Sequence, residues 1–487
     1  MMRFRDIAVL VLVAGATARP AAAQTAAVSI TLEAAIGRAQ HDGLQAHAAR
    51  STWDAARFRD GVFRSGLLPQ LSLAGTLPSY NRSIIQVVQP DGSTVFRPQD
   101  QTNTTMNLTL SQKLPGTGGD LFVSSSLARL SLSGQQSRET WSSTPITVGI
   151  RQEIFRPNVT AWEGREQNVR SELADRQFLE AREAIALRVT GLFFDVYSAR
   201  MSLANAETNV GVNDTLFTLN RGRFEVGRIG ENDLLQSELA LLRSRTTLDG
   251  ARLQHDRALA SLRLALNLPI GAPVEVVVTG IVPDVTVDTA QAVREALANR
   301  AAISEVRLQE IQARRSVNTA KLNNGRGATL QASYGFNATG SGFRSAYEQL
   351  QEARQLSLNV QVPLWQWGAR GEAIEAARAE LERAAALGEV TVQETAQEAH
   401  FAALQLAQAR RSLELSAKAD TVAGKRFEVA YNRYVVGRIA IDNLYLAQTE
   451  KDQALAQYIQ SLRGYWEAYY TLRRVTLYDF ATGQRIR

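Results

Sequence analysis

The sequence predicts a mainly α-helical fold with a minority of amphipathic β-strands, built from one unit that occurs twice. Two observations carry this. The stretch Arg223-Phe224-Glu225-Val226-Gly227-Arg228-Ile229 returns as Arg433-Tyr434-Val435-Val436-Gly437-Arg438-Ile439, 210 positions later. The same offset relates Ile154-Phe155 to Leu364-Trp365, so the segments between the two landmarks have equal length. A repeat that conserves a glycine turn, its flanks and the preceding segment length is the mark of an internal duplication.

The start of the chain reads as a secretory signal over residues 1–23. Arg3 and Arg5 precede the apolar run Ile7 to Ala14, and Ala21-Ala22-Ala23 offers a small-residue cleavage pattern before Gln24. The net charge of +6 includes +2 from this segment, so the remainder carries a mild excess and no basic block. That gives no footprint of nucleic-acid binding. There is no cysteine, which excludes disulfides, thiolate metal sites and a lipid-modified N-terminal cysteine. No later stretch approaches eighteen uncharged apolar residues, so no membrane-spanning helix is expected. An exported chain of this kind is periplasmic, extracellular or a β-barrel of an outer membrane.

A first structural repeat is expected over 24–268. It opens with a helix at 31–66, where Leu32, Ile36, Ala39, Leu44, Ala48 and Trp53 recur near helical spacing behind a Thr31 cap. A β region at 68–155 follows. Leu71 to Leu77, Met106 to Leu110, the run from Leu121 and the run from Ile146 alternate apolar with polar. That is the period of a half-buried strand, and it fits a membrane barrel or a soluble sandwich equally. Residues 79–103 and 129–144 read as polar loops. A helical hairpin spans 159–268. Its first arm runs without proline for about 65 residues, which would be roughly 100 Å of helix, far beyond a globular helix. Gly227 and Gly230 break it, and Asn232-Asp233 is the cap signal for the return arm.

A proline-marked linker covers 269–287, with one short strand around Val274 to Val278. A second repeat is expected over 288–475: helix 290–323, β region 328–365, helical hairpin 369–472. A tail at 476–487 ends the chain. Phe155, Trp365 and Trp367 close the β regions where an aromatic belt would sit at a membrane interface.

Motifs for catalysis are missing. His41, His47, His255 and His400 are scattered, Gly116-Thr-Gly-Gly119 lacks the lysine of a phosphate loop, and there is no Gly-x-Ser-x-Gly. Acidic residues alternate with arginine at i, i+3 and i+4 spacing, as on a solvated helix face. The expectation is a non-enzyme with no catalytic residue, cofactor or metal.

The duplicated tip, the strand entry Leu67-Leu-Pro-Gln-Leu-Ser-Leu73 and the exit Val362-Pro-Leu-Trp-Gln-Trp-Gly-Ala-Arg370 together resemble the TolC family of outer-membrane efflux proteins. The resemblance spans essentially the whole exported chain. It implies a homotrimer in which each chain gives four strands to a shared outer-membrane β-barrel and four helical strands to a periplasmic α-barrel tunnel. It implies an exit duct of an efflux or type I secretion system, in contact with outer-membrane lipid, a periplasmic adaptor protein and an inner-membrane pump of RND or ABC type. Adaptor docking would fall on the tips: Arg223, Phe224, Val226, Gly227 and Arg228, with Arg433, Tyr434, Val436, Gly437 and Arg438. By position Tyr434 matches a family gate tyrosine and Asp233 a gate aspartate. The family's basic and two acidic gate positions are Ile439, Asn443 and Leu446 in this chain. An acidic ring would therefore come from Glu231, Asp233 or Asp442, and Arg228 or Arg438 would hold the closed state.

Strand counting agrees that one chain cannot close a tunnel alone. Six alternating segments would give about 18 strands in a trimer. The expectation favours a smaller core built from 71–77, 146–154, 330–336 and 356–362, with the 106–128 hairpin extending or capping the outer end. The rival readings are a periplasmic adaptor protein, for which one hairpin per chain is expected, and a soluble coiled-coil scaffold.

Overall fold

The computed structural model describes residues 28–133, 137–278 and 282–486. The expected signal at 1–23 lies outside them. In chain order the elements are β1 (Val28–Ile30), α1 (Leu32–Asp42), α2 (Leu44–Gly66), β2 (Gln70–Val88), β3 (Thr94–Leu114), β4 (Gly119–Ser133), β5 (Arg138–Ile154), α3 (Val159–Glu225), α4 (Glu231–Ala265), β6 (Val274–Val276), α5 (Thr289–Asn299), α6 (Ala301–Asn323), β7 (Gly327–Gly340), β8 (Gln351–Gln361), α7 (Ala369–Val435), α8 (Ile441–Thr476), β9 (Tyr478–Asp479) and β10 (Gln484–Arg485). The two long helices, α3 and α7, each have 67 residues.

The chain divides into two compact units that cut across the repeat. One comprises the residues up to Ala39 and Gly191–Val282; the other comprises Gln40–Thr190 and Pro283–Arg487. In the first unit the C-terminal part of α3 returns as α4. Phe193, Phe194, Leu216, Leu262 and Leu266 are among its fully buried large side chains. A two-stranded parallel sheet of β1 and β6 belongs to this unit, with Ile30 paired to Val276. Arg200 secures it, donating to the Val276 carbonyl at 3.0 Å and pairing with Glu275 at 2.7 Å.

The second unit holds one six-stranded sheet, in the order β2-β3-β4-β5-β7-β8, with every neighbouring pair antiparallel. Its helical part packs α5 and α6 on α7, and α7 on α8. Small residues set the close approach: Ala296 and Ala399 are fully buried beside Val475. Tyr465, Trp466, Tyr469 and Tyr470 are buried on α8, with edge-to-face contacts from 5.2 to 6.0 Å between neighbouring rings. Arg473 at the end of α8 pairs with the buried Glu183 at 3.1 Å and with Asp479 at 3.2 Å. Burial pushes the Glu183 carboxyl above its usual range, and the Arg473 guanidinium opposes that shift.

Side chains knit the sheet to the helices. Gln112 donates to the Leu67 carbonyl at 2.6 Å, and Arg156 donates to the Asn323 carbonyl at 2.8 Å and to Gln361 at 3.2 Å. Asn158 caps the start of α3, accepting from the Ala161 N–H at 2.9 Å, while its amide donates to the Pro115 carbonyl at 2.8 Å. One residue thus fixes both a helix start and the β3–β4 turn.

The structure corrects five expectations. The 106–128 hairpin does not stand apart from a four-strand core: β3 and β4 lie in the sheet between β2 and β5. The segments at 79–103 and 129–144 are mostly strand, because cross-strand pairing continues from Ser79↔Asn103 to Val88↔Thr94, and from Leu132↔Arg138 inward. Polar composition does not prevent a strand when a partner strand satisfies its backbone. The helix expected over 31–66 is parted at Gly43, whose backbone is extended. The helix expected over 290–323 is parted at Arg300, also extended. There the side chain reaches Glu180 at 3.4 Å and Glu398 at 3.2 Å, and Glu180 accepts the Ala301 N–H at 2.9 Å. A tertiary contact replaces the local cap. Finally, Gly230 rather than Asn232-Asp233 occupies the cap position of α4, and Glu231 and Asp233 fall in its first turn. Acids there offset the positive end of the helix dipole.

Candidate functional site

Two features stand out: the faces of the six-stranded sheet, and the two helix-to-helix tips.

Alternation sends successive residues of each strand to opposite faces, and the register aligns like with like. One row runs Leu71, Leu110, Val123, Val148, Tyr334 across five strands. The next runs Leu121, Ile150, Ala332, Leu356, and below it lie Leu330 with Leu358 and Ala328 with Val360. Leu73 with Leu108, and Met106 with Leu127, extend this face upward. Most of these apolar side chains are exposed in the chain, Leu71 at 67% and Leu356 at 76%, while Val123, Ile150 and Ala332 are half-buried and Ala328 is buried. Soluble monomers rarely expose a contiguous apolar patch above a few hundred Å², and this one crosses a whole sheet. From Ala328 to Phe336 it rises about 27 Å along the strand, or roughly 20 Å in height at a tilt of ~40°. That approaches the apolar band of about 25 Å on outer-membrane barrels.

The opposite face is polar and nearly uncharged. One row runs Ser72, Thr109, Ser124, Thr147, Gly335, and another Ser111, Phe122, Gly149, Ser333, Gln355. Phe122 lies over Gly149, where a Cβ would come within 2.3 Å of its ring. Charges gather at the end nearest the helices, where Lys113, Asp120 and Arg151 share a row.

Aromatic residues bound the apolar face. Trp365 and Trp367 follow β8, 74% and 89% exposed, with rings 5.2 Å apart. Phe155 follows β5, with the Arg326 guanidinium 5.3 Å from its ring. At the other end Trp141 sits beside Arg129 and Phe343, with Tyr347 next. This second cluster was not among the expected site residues, although its signal was an aromatic closing an alternating strand.

The tips belong to different compact units, yet their backbones agree. At the first, the Gly227 N–H donates to the Phe224 carbonyl at 2.9 Å and the Arg228 N–H to the Arg223 carbonyl at 2.8 Å. At the second, Gly437 donates to Tyr434 at 2.9 Å and Arg438 to Arg433 at 2.8 Å. This pair of bonds is the Schellman closure of a helix, which needs a left-handed residue after the last turn. Gly227 and Gly437 supply it with φ of +72° and +73°. Each return helix starts after an extended residue, Gly230 or Ala440, with Glu231 and Asp233, or Asp442, in its first turn.

Side chains differ between the tips. Val226 and Val436 are exposed at 68% and 66%, and Phe224 at 40%, whereas Tyr434 is only 5% exposed. The second-tip tyrosine packs into its own hairpin, near Tyr445, with Ile441 and Leu444 also buried. Burial first, and then the neighbouring Tyr434, push the Tyr445 hydroxyl pKa up to about 12. Its oxygen is buried without a hydrogen-bond partner. Arg228 and Arg438 are exposed. Among the described residues no acidic or histidine cluster is arranged to hold a metal ion, and no helix is long and apolar enough to cross a membrane.

Residues 99–268 match the family described as outer membrane efflux protein. Protein CyaE of Bordetella pertussis is 25% identical over 320 residues, which is 62% of this chain and 67% of that protein. Among solved structures, the CmeC outer membrane channel of Campylobacter jejuni has a TM-score of 0.67 at 14% identity, over 93% of this chain and 86% of its own. The outer membrane protein VceC of Vibrio cholerae has a TM-score of 0.64 at 14% identity, over 94% and 97%. At these identities the structures speak for the fold alone. The family match takes in most of β3, all of β4, β5 and α3, the first tip and α4. Over residues 99–268 the chain thus resembles the outer membrane efflux protein family, on the fold of solved outer membrane channels and with a sheet whose apolar face suits lipid.

Proposed function

We propose that the protein is the outer-membrane exit duct of a tripartite efflux or type I secretion system: a passive homotrimeric channel that docks a periplasmic adaptor and, through it, an inner-membrane pump of RND or ABC type. The observation that carries this reading is the sheet with one apolar and one polar face, whose edge strands β2 and β8 have no further strand partner among the described residues. In lipid an open edge leaves backbone groups without partners, so the sheet requires closure by further copies. The polar face then lines a water-filled passage.

The tips are the proposed adaptor surface. Two copies of one rigid backbone turn present Val226, Arg228, Val436 and Arg438 outward, and Phe224 beside them. A repeated surface suits a partner that binds each hairpin in the same way. The proposed gate uses Glu231, Asp233 and Asp442, with Arg228 and Arg438 as cationic partners between copies. Tyr434 serves by fixing the second hairpin from inside, given its burial.

Separation of inner and outer membranes, mild detergent extraction and the mass of the unheated particle test the duct. A trimer from the outer membrane supports it; a water-soluble species or an inner-membrane monomer overturns it. Tip variants at Val226 and Val436, used in adaptor pull-downs, test docking. Charge reversal at Arg228 and Arg438 tests the gate, and unchanged closed-state conductance would remove those arginines from it.

A further inference from the structure

We infer that the membrane wall of this protein is a ring of six strands per chain, so that the trimer closes an 18-stranded barrel through β8 of one copy and β2 of the next. This rests on the trimeric duct reading and adds to it the wall's composition, its junction and its bore.

Three observations converge on it. First, β3 and β4 sit inside the sheet, hydrogen-bonded to β2 on one side and β5 on the other. Second, the apolar face does not skip them. Leu108, Leu110, Leu121 and Val123 continue the rows formed by Leu71 and Leu73 on one side and Val148 and Ile150 on the other. A hairpin that merely capped the outer end would have no reason to show apolar side chains in register with a lipid-facing wall. Third, the chain's two ends of the sheet are compatible. Strands alternate in direction across the ordered six, so β2 and β8 run oppositely. Placing β8 of one copy beside β2 of another therefore makes one more antiparallel junction, and the ring closes head to tail. Closure within one chain is excluded by number, since membrane barrels start at about eight strands.

Strand number sets the bore. With strands about 4.8 Å apart and tilted ~40°, 18 strands give a backbone diameter of roughly 36 Å, against roughly 24 Å for twelve. The open cross-section is more than doubled before side chains are counted. The lumen rows are mainly Ser, Thr, Asn, Gln, Ala and Gly. The membrane section of this duct thus offers a wide, weakly charged passage, suited to bulky polar cargo, and leaves selection to other parts of the assembly.

The absence of cysteine makes the test clean. Single variants Leu108→Cys and Leu121→Cys on the apolar face, and Thr109→Cys and Ser124→Cys on the polar face, are spin-labelled in proteoliposomes. Expected are labels at 108 and 121 that relax faster with oxygen than with an aqueous nickel chelate, and the reverse at 109 and 124. Labels at 108 and 121 open to the aqueous agent in a trimeric particle would overturn the six-strand wall and leave the duct reading intact. For the junction, Ser72→Cys is combined in turn with Gln355→Cys, Ser357→Cys and Asn359→Cys, because ring closure sets the register. One pair should link copies into a trimer band on a non-reducing gel. A link between Ser72→Cys and Thr147→Cys within one chain would instead place β2 against β5, as a four-strand wall demands. Failure of all three junction pairs in a trimer overturns the β8–β2 contact. A particle that is not an outer-membrane trimer sinks the duct reading itself.

Discussion

Replacing Gly437 tests whether the tips depend on backbone conformation rather than on space. The residue has φ of +73°, and a Cβ built on it would meet no atom within 4 Å. A side chain therefore costs no clash within the chain. What remains is the left-handed penalty of an L-residue, about 1–2 kcal/mol, offset by about 0.4–1 kcal/mol because the unfolded chain loses freedom when glycine is replaced. The net cost of Gly437→Ala is about 1 kcal/mol, and Gly437→Val exceeds it. Gly437→Asn should cost less than alanine despite its size, because asparagine tolerates the left-handed region. The assay is hydrogen exchange by mass spectrometry on peptides spanning the tip, where the Arg438 N–H donates to Arg433. A loss of ~1 kcal/mol in local stability speeds exchange about fivefold. The same order, Gly, Asn, Ala, Val, is expected at Gly227. An asparagine variant as costly as alanine would refute the argument, since it would mean that size and not φ is being read.

Other outcomes follow from single contacts. Arg473→Ala leaves Glu183, 3% exposed, without its nearest cation. Truncating one partner of a buried pair costs about 3–5 kcal/mol, and thermal melts should recover in part when Glu183→Gln is added. The Glu183 pKa is raised in the fold, so its contribution is fully present below the ordinary carboxylate range and is lost as pH rises through the folded value. The Arg473→Ala deficit should therefore be larger at pH 8 than at pH 5. Tyr445→Phe removes a buried hydroxyl with no partner and should leave the melting temperature unchanged or higher. Tyr469→Phe instead loses a 2.9 Å hydrogen bond to Asp479 and should cost about 1 kcal/mol. Asn158→Ala removes a helix cap that also holds the Pro115 turn, a loss of about 1–2 kcal/mol. Faster exchange should then appear at both places, in the first turn of α3 and at the β3–β4 connection.

What could be read along the chain alone was local and repeated. Each strand's apolar face shows in an alternation confined to a few residues, and each tip in one glycine with its flanks. The 67-residue arms follow from a long stretch without proline. These signals survive because the backbone period and the left-handed requirement at Gly227 and Gly437 act within a short window. Other features needed the tertiary structure. Whether Met106–Leu127 joins the sheet depends on which strands satisfy its backbone, and the partners of β4 sit as far away as Arg151. The polar stretch Ser79–Asn103 becomes a ribbon for the same reason, through cross-strand bonds that composition does not announce. The break at Arg300 is stabilised by Glu180, 120 positions upstream, and the burial of Tyr434 by a helix that returns after the tip. Periodicity is written residue by residue, so the sequence determined the elements and their faces. Partner choice depends on hydrogen bonds and packing between distant segments, so only the tertiary structure decided how many strands share the sheet and which tip side chains are exposed.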